Sequence, residues 1–308
     1  MAINNDHISR VSRSKEKSSI SKFSSPSWPS GRRLLAVFAH PDDETFGPGG
    51  TLALYARRGD EVHLICATRG EVGEAPPGLN GFASVGEMRE DELRRAASVL
   101  GLKAVRFLGY RDSGMPGSPD NHHPQALATA SVNEVAQQVT GYIREIRPQV
   151  VITFDPIGGY RHPDHIAIHQ AAVEAFSMAG DPGRDINGLP PYSPKKLYYS
   201  TFSRRFLRGV VRLLPLLGQD PHHFGRNRDI DLASLVESDF PIHATISTRE
   251  VLRLKERASA CHASQGGGFS GPVRWLQHWL GRNDTFMRAI PAASPPHMER
   301  DLFEGIEH

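Results

Sequence analysis

Runs of consecutive apolar residues, each followed by polar residues or glycine, set the frame of this chain. Leu34-Leu35-Ala36-Val37-Phe38 and Val150-Val151-Ile152-Thr153-Phe154 are continuous rather than alternating, as strands buried on both faces are. Glu61-Val62-His63-Leu64-Ile65-Cys66-Ala67 and Val105-Arg106-Phe107-Leu108 read as further strands. Between them, residues 50–58, about Glu87 to Leu100, 131–147 and a stretch from about Asp164 carry helical periodicity. Gly101 and Pro148 mark two of the helix ends. This alternation predicts an α/β fold, a mostly parallel sheet with helices on both faces. Residues 182–240 break the rhythm with many prolines, and a strand near 242–246 and a helix over about 248–263 resume it.

Composition changes the picture at the ends and in the break. Residues 1–31 are rich in Ser and Lys and too polar to offset their ordering entropy, so a disordered arm is expected before a single domain over 32–308. A net charge of +2 argues against a global nucleic-acid footprint. The two cysteines, Cys66 and Cys261, supply neither a disulfide framework nor a thiolate zinc site, and they fit a reducing, cytoplasmic setting. No stretch is long and apolar enough to span a membrane. Residues 204–217 mix basic and apolar positions and read as a lid over the site, with contact to a membrane surface as the other reading.

The chemistry lies in two polar clusters directly after apolar strands. One is His40-Pro41-Asp42-Asp43-Glu44 and the other Tyr160-Arg161-His162-Pro163-Asp164-His165. Open α/β sheets bind ligands beyond the carboxyl ends of their strands, so neighbouring strands would bring both clusters to one crevice. Together they offer the imidazole and carboxylate ligands that a catalytic metal takes while keeping a position for water. Either cluster alone could be turn and cap chemistry, with Asp164 as an N-cap. Two at equivalent strand ends favour a site.

These paired motifs resemble the LmbE/PIG-L-type N-acetylglucosamine deacetylases, and Arg111-Asp112-Ser113-Gly114-Met115, His262-Ala263-Ser264-Gln265 and a helical Arg89/Glu92 pattern extend the likeness. The resemblance implies a Rossmann-like three-layer fold and a metal-dependent hydrolase that removes an N-acetyl group from an amino sugar or its conjugate. It makes His40, Asp43 and His165 the ligands of Zn²⁺, with Fe²⁺ as the alternative in vivo, and Asp42 the general base toward a metal-activated water. His162 matches the oxyanion or leaving-amine donor, Asp164 the residue that orients His162, and Tyr160 a residue that closes over substrate. Asp112 matches a carboxylate that binds sugar hydroxyls, with an Asx turn as the lesser reading. His262 falls near a helix end and is expected in the substrate pocket.

Two other classes compete. A non-haem iron oxygenase could use a two-His-one-carboxylate set that includes His40 and Asp42, but its usual fold is built of alternating β-strands. A non-catalytic sugar- or lipid-binding module is disfavoured by the presence of ligands and base together.

Overall fold

The computed structural model describes residues 31–201, 204–223, 231–235, 240–267, 282–293 and 297–307. The arm expected at 1–31 lies outside them, apart from Gly31. Seven strands form one sheet: β1 (Arg33–Phe38), β2 (Glu61–Thr68), β3 (Ala104–Tyr110), β4 (Val150–Phe154), β5 (Lys196–Thr201), β6 (Ala244–Ser247) and β7 (Asn283–Ile290), in spatial order β3-β2-β1-β4-β5-β7-β6. The first five run parallel, whereas β7 is antiparallel to both β5 and β6.

Parallel neighbours require crossover connections, and helices supply them. α1 (Asp43–Phe46) and α2 (Gly49–Arg57) join β1 to β2, α3 (Val85–Leu100) joins β2 to β3, and α4 (Val132–Ile146) joins β3 to β4. α5 (Gly158–Arg161) and α6 (Pro163–Met178) lead from β4 to β5. α7 (Arg204–Leu213), α8 (Leu232–Leu235) and α9 (Leu252–Ser259) follow.

The continuous apolar run of β1 serves two cores at once, because successive side chains point to opposite faces. Leu34, Ala36 and Phe38 pack with Leu52 and Leu54 of α2 and Leu93 of α3. Leu35, Val37 and Ala39 pack with Val139 and Ile143 of α4 and Ile168 and Ala172 of α6. This produces the three-layer architecture.

Local chemistry sets the boundaries. Ser84 caps α3 by accepting from Glu87 N–H at 3.1 Å, while Glu87 accepts from Ala83 N–H at 2.8 Å, so the helix begins two residues before the expected start. Gly101, at φ 80°, ends it. Two strands were not expected. β5 lies inside the stretch 182–240 and pairs with β4 along its whole length, so part of that stretch belongs to the sheet. α7 runs through Gly209 and gives way to a 3-10 turn at Leu214–Leu217, which carries Pro215. Among the described residues no helix is long and apolar enough to cross a membrane.

From β1 the chain builds β2 and β3 on one side, then crosses to β4 and β5 on the other. The strand order therefore reverses between β1 and β4, where a crevice opens beyond their carboxyl ends. Both polar clusters sit there.

Candidate metal centre and active site

His40 follows β1, Asp43 opens α1, and His165 lies in the first turn of α6. His40 Nδ1 and His165 Nε2 face each other at 3.2 Å. Each ring's other nitrogen has a fixed partner: His40 Nε2 lies 3.0 Å from Asp164 Oδ2, and His165 Nδ1 lies 3.1 Å from the Gly158 carbonyl oxygen. A carboxylate and a carbonyl only accept, so those ring nitrogens donate. Against burial, Asp112, Asp164 and Asp43 hold His40 well above the usual imidazole value, so the facing pair shares a proton, and a cation that displaced it would meet two lone pairs.

Asp43 completes the set. Its Oδ2 accepts from His40 N–H at 2.7 Å and Ala39 N–H at 3.2 Å, while Oδ1 lies 3.3 Å from His165 Nε2. Ligands about 2.0–2.1 Å from a tetrahedral ion stand roughly 3.3–3.4 Å apart, so spacings of 3.2 and 3.3 Å fit such an ion. Gly158 is required here. At φ +67° a Cβ would stand 2.8 Å from His165 Cβ and 2.9 Å from Ile166 N, and the carbonyl that orients His165 would be displaced.

His162 also comes within ligand reach of His40 and His165. Its Nδ1, however, accepts from Asp164 N–H at 3.2 Å, which makes His162 the N-cap of α6 in place of the expected Asp164. Burial, with His40 and His165 beside it, pushes His162 well below the usual imidazole value. The neutral ring then carries its proton on Nε2 and presents a donor. Asp164 orients His162 through its backbone N–H, not its carboxylate. That carboxylate is fully buried and serves His40 Nε2, Ser113 N–H at 2.9 Å and Ser113 Oγ–H.

Asp42 keeps 16% side-chain exposure and lies 3.1 Å from Arg89 Nη2. The buried Arg89 also donates to Pro41 O at 2.8 Å and Gly70 O at 2.9 Å, so it ties together the loops after β1 and β2. Withdrawal from bulk water pushes the Asp42 carboxyl up to about 6, against the pull of Arg89 and with the repulsion of Asp43. For Asp43, burial alone would raise the value, but His165 and His40 hold it well below the usual carboxylate range. Two adjacent carboxylates are thereby driven apart, one toward proton exchange and one toward permanent charge.

Asp112 is 4% exposed and forms the Asx turn, accepting from Gly114 N–H at 2.8 Å through Oδ1. The same oxygen is 3.5 Å from His40 Nε2, and despite burial His40 holds the group below the usual range. Tyr160 packs edge-on to His165 and His162, and burial beside Asp43 keeps its hydroxyl protonated. His262 stands elsewhere. It is 0% exposed beyond the end of α9, with Nε2 2.7 Å from Glu44 Oε1, so it meets a buried carboxylate rather than the pocket expected for it.

Sequence reasoning passed over Glu44, Ser113, Asp155 and Gly158. Asp155 Oδ1 accepts from Ile157 and Gly159 N–H and shapes the turn that delivers Gly158. The Gly158-Gly159 pair after β4 was the available signal, since both adopt positive φ.

The family described as "PIG-L: GlcNAc-PI de-N-acetylase" matches residues 35–176. A 1D-myo-inositol 2-acetamido-2-deoxy-alpha-D-glucopyranoside deacetylase of Geodermatophilus obscurus is 39% identical over 292 residues, covering 89% of this chain and 98% of the relative. Among solved structures, the N,N'-diacetylchitobiose deacetylase of Pyrococcus horikoshii superposes with a TM-score of 0.56 at 21% identity, covering 84% of each chain. A 4-carboxy-2-hydroxymuconate hydratase of Pseudomonas putida does so with 0.55 at 16%, covering 86% of this chain and 99% of the other. The architecture thus houses more than one reaction. Site and sequence together define the class, a deacetylase-type α/β protein with a candidate metal centre. The chain belongs to the LmbE/PIG-L-type N-acetylglucosamine deacetylase family. The parallel three-layer fold and this membership overturn the iron-oxygenase alternative.

Proposed function

We propose that this protein is a metal-dependent N-deacetylase that hydrolyses the acetamide of N-acetylglucosamine linked to a polyol such as myo-inositol. The observation that carries the reading is the pair of imidazole nitrogens, His40 Nδ1 and His165 Nε2, held face to face beside Asp43 Oδ1 at ligand spacing. The sugar is supported by the substrate in the name of the Geodermatophilus relative, nearly all of whose length this chain spans.

His40, Asp43 and His165 would hold Zn²⁺, and Fe²⁺ suits the same donor set. A divalent ion there supplies a Lewis acid that lowers the pKa of water toward about 7 and polarises the acetyl carbonyl. Asp42 takes the proton of the attacking water, and His162 Nε2–H donates to the carbonyl oxygen as it becomes anionic. The proton on Asp42 passes to the amine nitrogen as the C–N bond breaks, so water and amide become acetate and a free amino sugar. Asp112 and Tyr160 line the sugar side. Two unpaired cysteines, one of them buried, suit a cytoplasmic setting.

The test is a metal-replete assay of acetate release from the N-acetylglucosaminyl inositol, N-acetylglucosamine itself and a mycothiol-type amide. We expect the inositol conjugate to react fastest. Release from none of them overturns the substrate, and unchanged metal content in His165→Ala overturns the ligand set.

A further inference from the structure

Asp42 has an unusual backbone. Its φ of 121° and ψ of −27° lie where L side chains rarely rest, so neighbouring contacts must hold it there. Its carbonyl is bonded to Thr45 N–H, Phe46 N–H and Thr45 Oγ–H, which secures the α1 side of the peptide. Its N–H donates to Glu44 Oε2 at 3.0 Å. Glu44 is 0% exposed, and a buried carboxylate keeps a fixed orientation only if its other oxygen is also bonded. That bond comes from His262 Nε2 at 2.7 Å, 218 residues away in sequence and equally buried.

We infer that His262 and Glu44 are positioning residues that hold the backbone of Asp42 in its strained form and so aim the general base. Both side chains are 0% exposed, so neither opens onto the crevice. His262 fixes Glu44, Glu44 fixes the Asp42 N–H, and the Asp42 carboxylate is left to Arg89 on one side and to the crevice on the other. The inference rests on the deacetylase reading for its kinetic consequence, but not for its structural one.

The experiment compares metal-loaded wild type, His262→Ala, His262→Gln and Glu44→Gln. The side-chain amide of His262→Gln can still donate to Glu44, whereas the single carbonyl of Glu44→Gln can accept from either the Asp42 N–H or His262 Nε2–H but not from both. We expect His262→Ala to lower kcat at least tenfold, with KM within about twofold and metal content unchanged. His262→Gln should recover most of the loss, whereas Glu44→Gln should lose kcat about as His262→Ala does, with KM and metal content unchanged. Crystal structures supply the second readout: φ of Asp42 should leave the left-handed region in His262→Ala and return to it in His262→Gln. A raised KM with kcat intact would make His262 a substrate contact and overturn the inference, as would an unmoved Asp42. If His262→Ala does not fold, a loss in His262→Gln as large as that of Asp42→Ala, with Asp42 unmoved, also overturns it. Wild type that cleaves none of the amides overturns the proposed substrate, while the φ of Asp42 still decides this inference.

Discussion

Two buried charged clusters occupy opposite ends of the same parallel strands. At the amino ends, Arg32, Lys196 and Arg288 meet Asp60, Asp301 and Glu299. Glu299 Oε1 lies 2.6 Å from Lys196 and 2.7 Å from Arg288, and Arg32 bridges Asp60 at 3.3 Å and Asp301 at 3.0 Å. Three cations balance three carboxylates, and Tyr55 and Tyr198 add hydroxyl donors. At the carboxyl ends, Asp42, Asp43, Asp112 and Asp164 crowd around three imidazoles, and Arg89 is the permanent cation paired with them. The first cluster is neutral by itself and closes the C-terminal segment over the sheet. The second sets four carboxylates against one guanidinium and holds two imidazole nitrogens face to face at the spacing of metal ligands. Balance marks architecture, and imbalance marks chemistry.

The largest expected effect lies at the imbalanced end. His165→Ala should reduce metal content to background and abolish acetate release with little change in fold, as elemental analysis and circular dichroism would show. Retained metal would overturn the ligand set of His40, Asp43 and His165. His162→Ala should keep the metal and lower kcat by about 10²–10³, the usual cost of an oxyanion donor. Asp164→Asn should weaken metal affinity about 10–100-fold, because it loosens the ring of His40 without removing a ligand. A titration with a competing chelator separates that loss from a catalytic one.

The balanced end should respond in stability alone. Glu299→Ala leaves Lys196 buried without its partner and should cost about 3–5 kcal/mol in urea unfolding, with metal content unchanged. Replacing Glu299, Lys196 and Arg288 together by apolar residues of similar volume should recover most of this. If Glu299→Ala instead lost metal, the two ends would be one system.

The smallest effect is acid stability. Burial would raise Asp301, but Phe303 N–H, the Tyr55 hydroxyl and Arg32 outweigh it and hold the carboxyl below its usual value. A depressed folded value gives stability that is complete above the unfolded value, about 3.9, and is lost as pH falls through the folded one. The stability gap between wild type and Asp301→Asn should therefore be flat above about pH 5 and shrink in more acid solution. A gap that widens in acid contradicts this sign.

Much of the molecule was legible because local rules decide it. The run at 150–154 coincides with β4, and the helix ends at Gly101 and before Pro148 follow from backbone chemistry. β5 escaped because its residues follow a proline-rich loop without a helical lead-in. β7 escaped because an antiparallel strand of mixed polarity, NDTFMRAI, carries no continuous apolar run. The residues of the two strand-end clusters were visible as motifs, whereas the partners of His262 and of the Asp164 carboxylate were not. Glu44 lies 218 positions from His262, and Ser113 lies 51 from Asp164, so only folding reveals which carboxylate each donor meets.

The central place of β1 has a consequence for biosynthesis. His40 emerges from the ribosome 125 residues before His165, and β1 cannot be flanked on both sides until β4 has also been made. A half-made chain has only part of the ligand set, so tight metal capture waits for long-range closure of the sheet. Loading then reports on assembly: a molecule that holds its ion has already joined the first strand to the fourth.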